Sequence, residues 1–169
     1  MSDPALTSRH ATQADEPAQL SGVPILDALP EGPRVRLRPH VARLEFGAGV
    51  TFLREDEATD FLAIVVSGRL SVHMRVPERG AVTILTLEPG DIVGWSAIVA
   101  PFRATTSATT LEPTELAVID ADALRSLLAA DVELAAAFYP RLLDTLVARL
   151  AATRVQLLDL FQARETDPW

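Results

Sequence analysis

Gly90-Asp91-Ile92-Val93-Gly94-Trp95-Ser96-Ala97, continued by Ile98 to Arg103 and then by Ala104-Thr105-Thr106-Ser107-Ala108, is the stretch around which this chain is organised. A strand punctuated by glycines ends in it, a short apolar turn of helix follows, and a small-residue strand rich in threonine takes over. Unpaired N–H groups at a helix start attract negative charge, so the layout suits an anion cradled at Gly94 to Ala97. Strands crowd in front of the stretch and helices follow it.

Before it, from Val41, and after it, as far as Ile119, short strands alternate with turn residues at roughly ten-residue spacing, the pattern of an all-β barrel or jelly roll. Phe61 to Val66 is apolar at every position and reads as a strand covered on both faces. Ser67-Gly68 turns it. Leu70, Val72, Met74 and Val76 then alternate with Ser71, His73 and Arg75, which predicts one buried and one wet face. Pro77 to Gly80 forms a tip, Ala81 to Leu87 returns, and Glu115 to Ile119 closes the β region.

After Ile119 the period changes. Asp120 or Asp122 caps a helix through Leu128, because a short carboxylate accepts the free N–H groups of a first turn. Asp131 begins another helix, and Pro140 marks a break or a fresh first turn. Leu143, Leu146, Leu150, Thr153, Leu157 and Leu160 recur at spacings of three and four, an a/d seam with Thr153 its polar member. Leu142, Val147, Leu158 and Phe161 widen the apolar surface beyond one stripe. One reading is an amphipathic helix packed on its own barrel; the favoured one is a long dimerisation helix paired in parallel across a homodimer, because a small barrel cannot cover both sides of it.

The chain of 169 residues has room for one domain with tails. Residues 1–22 read as a disordered or loosely ordered tail, 23–130 as the barrel, 131–162 as the helical dimerisation segment and 163–169 as a tail. Pro24, Pro30, Gly32, Pro33 and Pro39 exclude a long helix ahead of the barrel. With no cysteine, disulfides and zinc-thiolate sites are excluded. No apolar run spans a membrane and no secretory signal is visible, so the cytoplasm is the expected location. The net charge of −8, with all fifteen basic residues arginine, argues against nucleic acid. His10, His40 and His73 are too few and too scattered for a metal-dependent cupin site, and no nucleophile elbow or phosphate loop of the Walker type appears. The expectation is a protein without catalytic residues, metal or cofactor.

A jelly roll followed by short helices and a long dimer helix resembles the cyclic nucleotide-binding domain, the effector domain of catabolite activator-type regulators. Phe46-Gly47-Ala48-Gly49-Val50-Thr51-Phe52, Phe61 to Val72 and Leu87-Glu88-Pro89-Gly90-Asp91-Ile92-Val93-Gly94 carry the resemblance. Glu115 to Asp120 and Ala148-Arg149-Leu150 continue it, and the coverage is about Val41 to Phe161. The resemblance implies a phosphate-binding cassette built from Gly94, Trp95, Ser96, Ala97, Arg103, Ala104, Thr105 and Thr106, and a ligand that is a cyclic nucleotide or another small anion.

Two departures matter. In the family a glutamate just after the second cassette glycine holds the ribose hydroxyl, and an arginine near the cassette's end pairs with the phosphate. Here Trp95 stands in the glutamate position, Ala104 falls at the arginine position, and Arg103 is one residue early. A slip of one residue reverses the face of a strand, so Arg103 reaches inward only through a bulge and otherwise points to solvent. Trp95 either stacks on a planar ligand or fills the site as core. Thr153 lies where a hydroxyl of the dimer helix touches the base, or is a tolerated polar residue of the seam. The family's DNA-reading helix-turn-helix is expected to be missing after Phe161. The leading reading is a homodimeric, non-catalytic effector domain with weak, altered or absent cyclic nucleotide binding. The alternatives are a scaffold that binds a protein partner with its pocket closed, and a cupin-like enzyme.

Overall fold

The structure, a computed structural model, describes residues 12–13 and 23–165, with side chains from 23 to 154. The strands are β1 (Thr12–Gln13), β2 (Val41–Phe46), β3 (Thr51–Leu53), β4 (Phe61–Ser67), β5 (Leu70–Val76), β6 (Gly80–Leu87), β7 (Ile92–Val93), β8 (Ser107–Thr110) and β9 (Thr114–Asp120). They form two antiparallel sheets, one ordered β1-β2-β9-β4-β7 and the other β3-β8-β5-β6. The helices are α1 (Pro24–Asp27), α2 (Glu31–Leu37), α3 (Ala121–Ala130) and α4 (Val132–Glu165). The protein is therefore a mainly β jelly roll followed by helices.

Strand alternation divides the interior into two cores. Along β4, Phe61, Ala63 and Val65 face the other sheet, while Leu62 and Ile64 face the helices. β9 repeats this, with Leu116 and Val118 between the sheets and Ala117 and Ile119 under the helices. That is why the uninterrupted apolar run at Phe61 reads as a strand covered on both faces. The inter-sheet core adds Leu70, Val72, Leu87 and a pair of phenylalanine rings, Phe46 and Phe52, 5.3 Å apart. The helix-side core joins Leu26 and Leu37 to Leu124, Leu134, Phe138 and Leu142.

Of the two candidates it is Asp120, not Asp122, that caps α3, and Asp131 caps the helix it begins. The Ala123 N–H donates to Asp120 Oδ1 at 2.7 Å, and the Leu134 N–H donates to Asp131 Oδ1 at 3.0 Å. The Leu134 N–H and then the Arg36 guanidinium of α2 lower the pKa of Asp131 below its ordinary value.

The expected break at Pro140 is not there: α4 runs through it. Pro140 removes one backbone bond, at a cost of about 3 kcal/mol. Leu134 and Phe138 before it and Leu142 after it are all buried on the barrel, and burying three such side chains outweighs that cost. The proline-rich entry holds two short helices and no long one, because Pro24 occupies the start of α1 and Pro33 lies in the first turn of α2, where an N–H has no helical partner anyway. Within the expected tail, Thr12–Gln13 pairs with Leu44 and Glu45 of β2; the rest of 1–22 lies outside the described residues.

Phe138 is the largest fully buried side chain among the described residues. Truncating it leaves a cavity where α4 meets the barrel, and Phe138→Ala should lower unfolding free energy by about 3–5 kcal/mol. Urea denaturation with an unchanged slope checks this, and a loss below about 1 kcal/mol would mean that α4 does not dock as described.

Candidate functional site

β7 leads into the cassette and pairs with β4 through Ala63–Val93 and Ile64–Ile92. Gly94 follows with φ +78° and caps a 3-10 turn, Trp95–Ala97, in which Ser96 and Ala97 are buried. The Ala97 N–H closes the turn on Gly94 O at 2.9 Å. A loop then carries Val99 and Phe102 outward, and Ala104 re-enters the barrel ahead of β8.

The residues proposed for the ligand separate into two sets. Ala104 is 2% exposed and belongs to the inter-sheet core, whereas Arg103 is exposed and its guanidinium donates to the carbonyl of Asp56 in the β3–β4 loop. An isolated bridge, Ala58–Arg103, and paired backbone bonds fix this register: Asp56 N–H to Ala104 O at 2.8 Å and Ala104 N–H to Glu57 O at 2.9 Å. No bulge turns Arg103 inward; the alanine takes the inward place. Thr105 is exposed and Thr106 half-buried.

Trp95 is half-buried and packs against the helix-side core rather than between the sheets. The space between the sheets is filled by Phe46, Phe52, Phe61 and Leu85. Thr153 is half-buried on α4 and donates its hydroxyl to Arg149 O at 2.9 Å, one helical turn back. Of the seam residues, Leu143 and Leu150 are exposed, while Leu146 is half-buried against its own barrel. The side chains of Leu157 and Leu160 lie outside the described residues.

Two arginines of the helices grip the cassette, and local sequence pattern does not reveal either. Arg125 of α3 donates to Ala97 O, pairs with Asp122, and sits 4.6 Å from the ring centre of Phe102. Arg149 of α4 donates to Ile92 O at 2.5 Å, two residues ahead of Gly94. Burial lowers the Arg149 pKa from its ordinary range, and the charge of Asp91 opposes that shift. The sequence marks Arg149 only by its place in Ala148-Arg149-Leu150, where the family resemblance continues, inside an otherwise apolar stretch of helix. Beneath the loop, the buried Thr59 Oγ1 has no hydrogen-bond partner among the described residues. No group of three His, Asp or Glu among those residues is placed to hold a metal ion. No helix among them is long and apolar enough to cross a membrane.

Residues 43–131 match the model of the cyclic nucleotide-binding domain, so the chain belongs to that family. The family is one of regulatory binding domains. The CRP-like cAMP-activated global transcriptional regulator of Mycobacterium tuberculosis is 33% identical over 117 residues, which cover 69% of this chain and 50% of that protein. The chain thus spans about half the length of the curated relatives it matches. Among solved structures, a cyclic nucleotide-binding domain from Methylobacillus flagellatus superposes with a TM-score of 0.73 at 24% identity, covering 82% of this chain and 81% of that one. A putative cyclic nucleotide-binding protein from Geobacter metallireducens gives 0.70 at 20% identity, covering 81% and 99%. These two likenesses show the fold.

Proposed function

We propose that this chain is a non-catalytic regulatory domain that pairs as a homodimer through α4 and binds cyclic nucleotides weakly or not at all. The observation that carries the reading is the cassette register: Ala104 faces inward where a phosphate needs a cation, and Arg103 is spent on Asp56 O outside. At the other contact, the indole of Trp95 offers no acceptor to a ribose hydroxyl. Hydrogen bonds to charged groups are each worth about 1.5–3 kcal/mol, so two such losses weaken binding on the order of 10² to 10⁴-fold. Backbone amides of the 3-10 turn and the hydroxyls of Thr105 and Thr106 are what remains for a small anion. The net charge of −8 supports a domain that does not itself contact DNA.

Isothermal titration with cyclic AMP and cyclic GMP tests this. Neither nucleotide should give saturable heat up to about 1 mM, where binding is worth only about 4 kcal/mol. Saturation in the micromolar range would overturn the reading and make the protein a cyclic nucleotide sensor. A second reading, a scaffold that recruits a protein partner, is favoured by the exposed Val99 and Phe102 on the cassette loop.

A further inference from the structure

We propose that the outer face of the sheet formed by β3, β8, β5 and β6 carries a second ligand site, separate from the cassette, for a small zwitterion of amino-acid or dipeptide size. The face is a groove of about 520 Å³ whose lining includes Arg54, Glu55, Asp56, Glu57, His73 and Arg75. Its volume falls in the range of small-molecule sites.

The floor follows from strand alternation. On β5, Leu70 and Val72 face the inter-sheet core, so Ser71 and His73 face the other way. Their cross-strand neighbours are polar as well. His73 Nε2 and Thr109 Oγ1 lie 3.0 Å apart, Thr109 and Thr51 share a hydroxyl bond of 2.7 Å, and Ser71 bonds Thr83 at 3.1 Å. Of this polar row, His73 and Thr51 line the groove itself, with Ser107 beside them, and Ser71, Thr83 and Thr109 support them from behind; the imidazole and the lining hydroxyls retain capacity for a further bond.

The rim is rigid. The Glu55 N–H donates to Ser107 Oγ at 3.0 Å, and Glu55 Oε2 accepts from the Arg75 N–H at 2.7 Å. The backbone bonds to Ala104 and the Arg103 guanidinium on Asp56 O hold the other side of the same loop. A site held this way pays little ordering cost when a ligand arrives.

Charge selects the ligand. No carboxylate among the described residues forms an ion pair with the guanidinium of Arg54 or of Arg75. Two guanidiniums at one groove, neither in an ion pair among the described residues, suit a carboxylate, which accepts from them in a fork. The same rim carries Glu55, Asp56 and Glu57, so a simple anion meets three carboxylates and a simple cation meets two arginines. A molecule with both a carboxylate and an ammonium matches both sets. Because the rim loop is bonded to Ala104 and Arg103, occupancy of the groove also bears on the cassette strand.

Titration calorimetry with glycine, L-glutamate and glycylglycine, against acetate and methylammonium, tests the site independently of any cyclic nucleotide result. At least one zwitterion should saturate while acetate and methylammonium give no heat. The double variant Arg54→Gln, Arg75→Gln should weaken that binding by at least about tenfold. Arg79→Gln, an exposed arginine outside the groove lining, should leave it unchanged. Silence with all three zwitterions, equal heat from acetate, or undiminished binding in the double variant would each overturn the proposal.

Discussion

With the proposed pairing through α4, Leu150→Glu should leave the protein a monomer in sedimentation velocity where the wild type sediments as a dimer. α4 has 34 residues and is therefore about 51 Å long. One face of its first half is already used: Leu134, Phe138 and Leu142 are buried in the helix-side core and Leu146 packs at its edge. The other face carries Tyr139, Leu143, Val147 and Leu150, spaced four, four and three, with Leu143 58%, Val147 65% and Leu150 53% exposed. In the sequence the leucines continue at Leu157 and Leu160. A continuous apolar stripe on a helix that has already docked its neighbouring face suits a second copy of itself, since a two-fold axis sets identical stripes against each other. Each Leu150 buries about 2 kcal/mol of transfer free energy, and a dimer holds two, so the pair costs about 4 kcal/mol before like-charge repulsion is added. The dissociation constant should rise on the order of 10³-fold. An unchanged dimer in the variant, or a wild-type monomer at tens of micromolar, would refute pairing through this face. Leu146→Glu differs in kind: its side chain belongs to the protein's own barrel, so it should lower the melting temperature more than Leu150→Glu does.

The seam itself shows what a sequence pattern contains and what it omits. Spacings of three and four placed Leu143, Leu146 and Leu150 on one stripe, yet a helix with two apolar faces has two stripes at the same period, and periodicity does not say which one meets the barrel. Leu146 went to the barrel and Val147 to the open face. The β region was legible because a strand's pattern has period two, and the caps at Asp120 and Asp131 because capping is local. Pro140 misled for the same reason: its penalty is local, while Phe138 and Leu142, which outweigh it, gain their burial from distant strands. In the cassette, the identity of the residues gave the departure from the family, but not its geometry. Arg103 is held outside by the carbonyl of Asp56, 47 positions away in sequence, and Arg149 meets Ile92 across 57 positions. Neither contact has a sequence signature.

Gly94→Ala should be the most damaging single-methyl change in the cassette, and its control is Gly49→Ala. Both glycines have φ +78°, so both alanines pay the same left-handed backbone cost of about 1–2 kcal/mol. Around Gly49 an added Cβ meets nothing within 4 Å, and the variant should lose that amount alone. At Gly94 the Cβ would come to 2.7 Å from the carbonyl oxygen of Phe61, backbone of β4, an inner strand paired on both sides, which has no side-chain freedom to yield. Relieving the contact means moving β7 off β4 or shifting the 3-10 turn, at a further cost of about 2 kcal/mol. The melting temperature of Gly94→Ala should then fall about 4–8 °C further than that of Gly49→Ala. The same shift would loosen the Arg149 bond to Ile92 O, so amide exchange in residues 92–97 should quicken in Gly94→Ala and not in Gly49→Ala. Equal losses in the two variants would mean that the cassette does not lie this close to β4. A selective loss at Gly94 would mean that the glycine exists to let the cassette approach the strand, whether or not a nucleotide ever binds there.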